Sequence, residues 1–423
     1  MEKYFKRIPP ELKDLISTAG GIADAYQMPA YLVGGFVRDL IMGVENLDSD
    51  IVVEGDGIKF AEALAKKCAA RLVRHRRFGT ATVVINPHLK VDISTARRES
   101  YPAPAALPVV EPGQMQDDLA RRDFTINAMA ASLNKDSFGK LLDLFSSRSD
   151  IREKNIRILH DLSFIDDPTR MLRAIRFQKR YNFKIEPRTL RLLKEAARLK
   201  MLEKVHPHRL RDELILILKE KDPLKSIKGI QDLIGFGFIS WNLKISKKTW
   251  GLLKAVKKEI AWFKETYPRR RRLDSWLIYL MALLDSLDAV RAKKVAQKFA
   301  LSRGEAKRIL TYKSIKSAFV AKLSANNIKP ARVYHLLEPL SYEVIIMLRA
   351  KYRNKNLLKQ IGAFFGSYNG MRVYITGDDL RRLGIKPGPR YQKIFRKVLD
   401  ARLNGLVKSK EEEVMLARKS SQL

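Results

Sequence analysis

The stretch that decides the fold is Leu32-Val33-Gly34-Gly35-Phe36-Val37-Arg38-Asp39, followed a few residues later by Asp48-Ser49-Asp50. An apolar strand runs into a glycine pair, a helix opens behind it, and two carboxylates stand at the entry to a second apolar strand, Ile51-Val52-Val53. Gly34 and Gly35 lack side chains, so backbone N–H groups can come close to a phosphate at a helix N-terminus. Asp48 and Asp50 are at i and i+2 and project from one face of a strand. Two carboxylates on one face suit two Mg²⁺ ions, which stand about 3.5–4 Å apart in such sites. Either motif alone would read as turn chemistry. Their order, strand–turn–helix–loop–strand, points to an enzyme that holds a nucleoside triphosphate and divalent metal.

Outward from that stretch, residues 30–95 alternate short strands (31–33, 51–53, 80–85, 90–93) with helices (36–42, 58–70). Asp92, within Val91-Asp92-Ile93, is a candidate third carboxylate across the sheet, or else a surface residue at a strand end. Residues 101–113 contain four prolines and read as a loop, since neither a helix nor a central strand tolerates that density. After Leu144 the strand signal nearly vanishes, and apolar residues recur at three- and four-residue spacing, for example over 210–218 and 276–287. Breaks are expected at Lys221-Asp222-Pro223, Tyr267-Pro268 and Lys329-Pro330. The pattern describes an α/β head carrying an extended all-α body.

The length, 423 residues, is enough for more than one domain, and the 46% hydrophobic content supports packed cores. No apolar run reaches the length of a membrane span, and Met1-Glu2-Lys3-Tyr4 does not open a secretory signal. Cys68 is the only cysteine, which excludes intrachain disulfides, fits a reducing compartment, and reads as a small buried residue. Residues 1–150 are balanced, with 20 Lys+Arg against 20 Asp+Glu, so the whole net charge of +36 lies after residue 150. A neutral head on a basic body suggests chemistry at one end and polyanion binding along the rest. Charge alone leaves RNA, DNA and an anionic membrane open. The densest basic cluster is Arg269-Arg270-Arg271-Arg272, with Lys247-Lys248, Lys257-Lys258 and Lys293-Lys294 around it and Trp250, Trp262 and Trp276 interspersed. The tryptophans at helical spacing read as core, and the charge as backbone-phosphate contact.

Two further constellations carry chemistry. Arg121-Arg122-Asp123-Phe124-Thr125-Ile126-Asn127-Ala128 sets two arginines beside an acid and an amide, a set able to clamp phosphate and ribose, and equally a helix start with Asp123 at its positive end. Asp166-Asp167-Pro168-Thr169-Arg170 continues into Met171-Leu172-Arg173-Ala174-Ile175-Arg176-Phe177. Pro168 suits a first helical turn, and Asp167, Arg170, Arg173 and Arg176 recur every three residues along one face. The plain alternative is an exposed i,i+3 ion pair, but the interleaved apolar residues imply a helix buried on one side and charged on the other, a candidate wall for a phosphate pocket.

Together these motifs resemble the bacterial class II tRNA nucleotidyltransferases and poly(A) polymerases, a branch of the polymerase β superfamily. The metal motif is matched by Leu32–Asp39 with Asp48-Ser49-Asp50, the ribose motif by Arg121–Ala128, and the base-reading motif, usually Glu-Asp-x-x-Arg, by Asp166-Asp167-Pro168-Thr169-Arg170 with its first acid shortened. The resemblance implies an α+β fold: a polymerase β-like head with a mixed sheet and helices (1–145), then a helical neck (146–222), body (223–325) and tail (326–423). It implies catalytic Asp48, Asp50 and Asp92, with Mg²⁺ on Asp48 and Asp50. Gly34, Gly35, Arg38, Arg173 and Arg176 would bind phosphates, Arg122, Asp123 and Asn127 would place the nucleotide, and Asp167 with Arg170 would read the base. Partners implied are the tRNA 3′ end and arm backbone, ATP and, where C is also added, CTP, in the cytoplasm and with no membrane. The loop at 97–118 is not short and resembles the A-adding form. The alternatives are a poly(A) polymerase and a non-catalytic RNA-binding protein, against which the intact Asp48/Asp50 pair stands.

Overall fold

A computed structural model of the chain describes residues 2–5, 7–44, 49–75, 79–241 and 243–421. The chain forms two compact units, one of Met1–Ile217 with Lys225–Phe238, the other of Leu218–Leu224 with Ile239–Leu423.

The first unit opens with α1 (Glu2–Phe5), α2 (Pro10–Ala25), β1 (Ala30–Val33), α3 (Gly35–Met42), β2 (Ser49–Val53), α4 (Gly57–Lys67), β3 (Arg71–His75), β4 (Thr80–Asn86) and β5 (Leu89–Thr95). It continues through β6 (Arg97–Ser100), β7 (Val109–Pro112), α5 (Met115–Ala120), β8 (Ala130–Ser132), β9 (Leu141–Leu142) and α6 (Ser147–Glu153). Next come β10 (Asn155–Ile156), α7 (Ser163–Asp166), α8 (Thr169–Tyr181), β11 (Lys184–Ile185), α9 (Pro187–Arg198), α10 (Pro207–Leu218) and α11 (Pro223–Leu233).

Seven strands form one mixed sheet in the order β3-β4-β5-β2-β1-β8-β9, and β2 with β5 is its parallel pair. Side chains alternate between the two faces, as strand geometry requires. Ile51, Val53, Val91 and Ile93 enter a large core with Phe36, Phe60 and Leu64 from α3 and α4. Val33, Val52 and Ala130 pack on the other face against Met115 and Leu119 of α5. Asp50 and Asp92 share the parity of Val52, and they are register partners across β2 and β5. Both carboxylates therefore stand on the face away from the large core.

Local signals explain the element ends. Gly43, at φ +68, closes α3 in the left-handed conformation. Asp56 caps α4 by accepting from the N–H groups of Ile58 (2.9 Å) and Lys59 (3.0 Å). The helix expected over 58–70 stops at Lys67, and Ala69 follows at positive φ. The proline-rich loop is partly strand. Val109–Pro112 pairs with Arg97–Ser100 in a two-stranded ribbon outside the main sheet. Every residue of such a ribbon is at an edge, so Pro112, without an N–H, is tolerated there. β10 and β11 form a two-residue parallel pair in the region that reads as helical by period. Cys68 is half-buried against the large core rather than enclosed, and burial pushes its thiol pKa up.

The second unit is helical: α12 (Lys247–Thr266), α13 (Ser275–Leu283), α14 (Ala289–Lys298), α15 (Arg303–Ser314), α16 (Ser317–Leu323), α17 (Pro330–Leu337), α18 (Tyr342–Lys351), α19 (Lys355–Ala363), α20 (Gly377–Arg382), α21 (Pro389–Leu403) and α22 (Lys410–Ser421). The three expected breaks fall before α11, after α12 and before α17. The segment 276–287 is not an amphipathic helix. Every residue from Trp276 to Leu284 is buried, so α13 is a central helix enclosed on all sides, and it turns into a short 3₁₀ segment at Leu284–Ser286. Trp276 is core, whereas Trp250 and Trp262 are half-buried, the latter under the Arg349 guanidinium at 3.6 Å. Among the described residues no helix is long and apolar enough to cross a membrane.

Candidate active site

A cavity of about 640 Å³ opens on the sheet face that carries Asp50. The first turn of α3 contributes Gly35 and Arg38, the segment after α5 contributes Arg121, Arg122, Asp123 and Asn127, α8 contributes Arg170, Arg173 and Arg176, and Asp167 precedes α8. A second cavity of about 500 Å³ lies over β2, β4 and β5 and is lined by Asp50, Asp92, His75, Thr80, Thr82 and Arg97. Asp50 lines both. Asp48 lies outside the described residues.

The glycine turn works through conformation. Gly34 has φ +63 and ψ −121, and a Cβ there would run into the Arg122 guanidinium. Its N–H donates to the Met129 carbonyl at 3.0 Å, so the N–H groups that α3 leaves at its start begin with Gly35, which lines the cavity.

Arg38 is 4% exposed. Its guanidinium donates to Asp39 Oδ1 (2.7 Å) and to Asn127 Oδ1, and stacks over Tyr181 at 4.7 Å. Asn127 Nδ2 in turn donates to Asp123 Oδ1 at 2.8 Å, and Arg173 grips Asp123 Oδ2 with Nε (2.8 Å) and Nη2 (2.7 Å). Burial would raise the Asp123 carboxyl pKa, but the Arg173 guanidinium and the Asn127 bond hold it down at about 2. Arg173 is half-buried; desolvation would lower its pKa, but Asp123 and Glu213 more than offset that and push it up. A continuous polar chain thus runs from α3 to α10: Arg38, Asn127, Asp123, Arg173, Glu213, Arg176.

The segment Arg121–Ala128 does not start an α-helix. It leaves the C-terminus of α5 and makes one 3₁₀ turn, Thr125–Asn127. Its two arginines are divided by the fully buried Asp118, whose Oδ1 takes Arg121 (2.6 Å) and Oδ2 takes Arg122 (2.9 Å). Burial would raise the Asp118 carboxyl pKa, but the two guanidinium groups lower it.

Asp167 and Arg170 form no exposed i,i+3 pair. Arg170 is 4% exposed and donates to Ser163 Oγ (2.7 Å) and the Arg121 carbonyl (2.8 Å). Asp167 accepts from Thr169 and is ion-paired with Arg209 of α10. Among the described residues no ion pair joins Asp167 to Arg170, so an acceptor and a donor face the same cavity separately. Asp166 does not line it and stands 3.8 Å from His160 Nδ1.

Sequence reasoning missed Arg209, Glu213, Asp118, Glu99, Tyr101 and Tyr181. Their signal is faint: Arg209 and Glu213 are i,i+4 on α10, opposite charges flanking buried Leu210 and Leu214. Tyr181 owes its place to a partner distant in sequence, Asp39.

The oxygen donors fit a hard divalent ion. Asp50 and Asp92 are neighbours in register, and Asp92 Oδ1 is oriented by the Thr82 hydroxyl at 2.5 Å. Among the described residues no group of three or more His, Cys, Asp or Glu side chains forms a metal cluster.

In the second unit, part of the arginine cluster is structural. Arg271 pairs with fully buried Glu343 (2.8 and 2.9 Å), and Arg270 donates to Asn369 Oδ1 (3.1 Å) and the Phe365 carbonyl (2.8 Å).

Comparison with known proteins matches residues 30–157 to the poly(A) polymerase head domain and residues 182–234 to the probable RNA and SrmB-binding site of polymerase A. An A-adding tRNA nucleotidyltransferase of Geobacter sulfurreducens is 38% identical over 97% of this chain, which spans 47% of that relative. One from Halalkalibacterium halodurans is 32% identical over 96% of this chain and 91% of its own length. The solved structure of the Thermotoga maritima CCA-adding enzyme complexed with tRNA superposes with a TM-score of 0.73 at 34% identity, covering 99% of this chain and 97% of that one.

Proposed function

The chain belongs to the tRNA nucleotidyltransferase family, and from that premise we propose that it adds AMP from ATP to the 3′ end of a tRNA ending in CC. The observation that carries this reading is the single cavity in which Asp167 and Arg170 face the same space as Asp50 and the arginines of α3 and α8. An ionised carboxylate only accepts hydrogen bonds, and a guanidinium only donates. Adenine and cytosine each present an amino donor beside a ring-nitrogen acceptor, so the pair suits both. Uracil and guanine present the reverse, and each buried polar group left unpaired costs about 1–3 kcal/mol.

Arg38, Arg122, Arg173 and Arg176 balance the triphosphate charge, and Gly35 opens the α3 N-terminus toward it. Asp123 and Asn127 lock Arg173 and Arg38 in place. Asp48, Asp50 and Asp92 are the residues that would hold Mg²⁺. When bound, Mg²⁺ supplies charge that favours the attacking alkoxide and the leaving pyrophosphate. In the transfer, the 3′-hydroxyl oxygen bonds to the α-phosphorus, the bond to the β-phosphate oxygen breaks, and pyrophosphate leaves. The cavity over β4 and β5 is where the RNA 3′ end would meet Asp50. Residues 1–145 would act as head, 146–222 as base-reading neck, and 223–325 and 326–423 as RNA-binding body and tail, working on tRNA in the cytoplasm.

The test offers the protein Mg²⁺ and each nucleoside triphosphate in turn with three acceptors. A tRNA ending in CC should gain one A. CMP addition to a tRNA lacking all three terminal residues would make it a full CCA-adding enzyme, and long A tails on unrelated RNA a poly(A) polymerase.

A further inference from the structure

The hydrogen bonds on Asp167 are one-sided. Its Oδ1 accepts hydrogen bonds from the Thr169 N–H (3.1 Å) and the Thr169 hydroxyl (2.6 Å) and is ion-paired with Arg209 Nη2 at 2.7 Å. Among the described residues no hydrogen bond falls on Oδ2. A carboxylate oxygen with two donors and a guanidinium against it has little capacity left, so a further donor entering the cavity is directed to Oδ2. Arg209 stands in the first turn of α10, and Asp167 is its one side-chain partner among the described residues. Its Nη1 is buried without a hydrogen bond. An arginine that merely braced two helices would have its fork satisfied on both arms. This one is committed to a single oxygen of Asp167.

We infer that Arg209 is a specificity-determining positioning residue: it occupies Asp167 Oδ1 and thereby presents Oδ2 to the exocyclic amino group of the incoming base. The inference rests on the reading that Asp167 and Arg170 pair with that base. The terminal torsion of an aspartate is broad, so without Arg209 the carboxylate is pinned by Thr169 alone and samples more orientations.

The test compares ATP with purine riboside 5′-triphosphate, the same nucleotide without its amino group, on a tRNA ending in CC. The readout is the ratio of kcat/KM for the two. In the wild type ATP is preferred. In Arg209→Met that preference falls about tenfold, through a loss on ATP with little change on the analogue, and GTP misincorporation rises. Arg209→Lys restores part of the preference, and Thr169→Val, which removes another donor from the same oxygen, lowers it less. If Arg209→Met slows both triphosphates equally, or leaves the ratio unchanged, the inference is overturned. Should the methionine variant not fold, the lysine and valine variants carry the same ratio test. Asp167→Ala separates the two levels. If it leaves the wild-type preference intact, the base-reading role itself fails. If it abolishes the preference while the Arg209 variants keep it, this inference alone fails.

Discussion

Asp123 shows what residue-level chemistry the site demands. Its folded pKa, about 2, lies below the ordinary aspartate value, so the ionised form is favoured in the native state. A group depressed in this way contributes stability above its unfolded pKa and loses it as pH falls through the folded one. The contribution is roughly 2 kcal/mol near neutrality and should vanish between about pH 4 and pH 2. Urea unfolding of the wild type and Asp123→Asn over that range should show the gap between them narrowing; a constant gap would mean that Arg173 does not hold the carboxylate. The carboxylates proposed to hold metal, Asp50 and Asp92, stand exposed on the sheet face. Asp48→Ala or Asp50→Ala should abolish AMP addition while tRNA affinity measured by filter binding is retained, and substantial activity in the double variant would remove them from the mechanism. At this scale the sequence singled out Asp123 and Asn127, which a hydrogen bond joins in the fold. It was silent on Asp118, because a buried acid that divides two arginines looks like any surface aspartate until the chain is folded.

Elements were legible in proportion to how far one face controls them. Strand β2 alternates between two cores and β5 between a core and a polar face, and their period is plain in the residues. Helix α13 is buried all round, so the three- and four-residue spacing read over 276–287 marks no single face, and β7 was hidden because proline density argues for a loop unless the ribbon has no inner strand. The turn from β1 into α3 is the element on which the site depends most, and it tests the reading of Gly34. An L-residue at its positive φ is strained by about 1–2 kcal/mol, before any clash. The Cβ of Gly34→Ala would also displace Arg122. This variant should therefore lower the urea midpoint and raise the KM for ATP more than it lowers tRNA affinity. Gly35→Ala has negative φ and its Cβ would lie 3.5 Å from Arg38 Nη2, so it should be much milder in stability. Equal effects at the two positions would refute the conformational account.

At the scale of the whole molecule the charge is divided by sequence: balanced through residue 150 and strongly positive beyond it. Arg270 and Arg271 show that some of this positive charge is internal structure, held by Asn369, Phe365 and Glu343. Their loss should unfold α12 and α18 contacts before it weakens RNA binding selectively. Lys247, Lys248, Lys293 and Lys294, by contrast, are exposed. If those lysines neutralise tRNA phosphates, counterions are released on binding, and log affinity falls linearly with log salt at a slope of about −0.7 to −0.9 per phosphate contact. The 423-residue chain should show that steep dependence on tRNA, and Lys247→Ala with Lys248→Ala should make the slope shallower by up to about two contacts. The same grip explains why addition should stop. A tRNA body fixed on the basic surface lets its 3′ end advance only as far as a pocket of finite depth allows, so one A completes the end and the next finds no room. A short CC-ending oligonucleotide lacks the body, and it should be a poor acceptor at any salt. If that oligonucleotide is extended as fast as tRNA, and without stopping, the charge beyond residue 150 is not what measures the substrate, and the end point must be set inside the cavity alone.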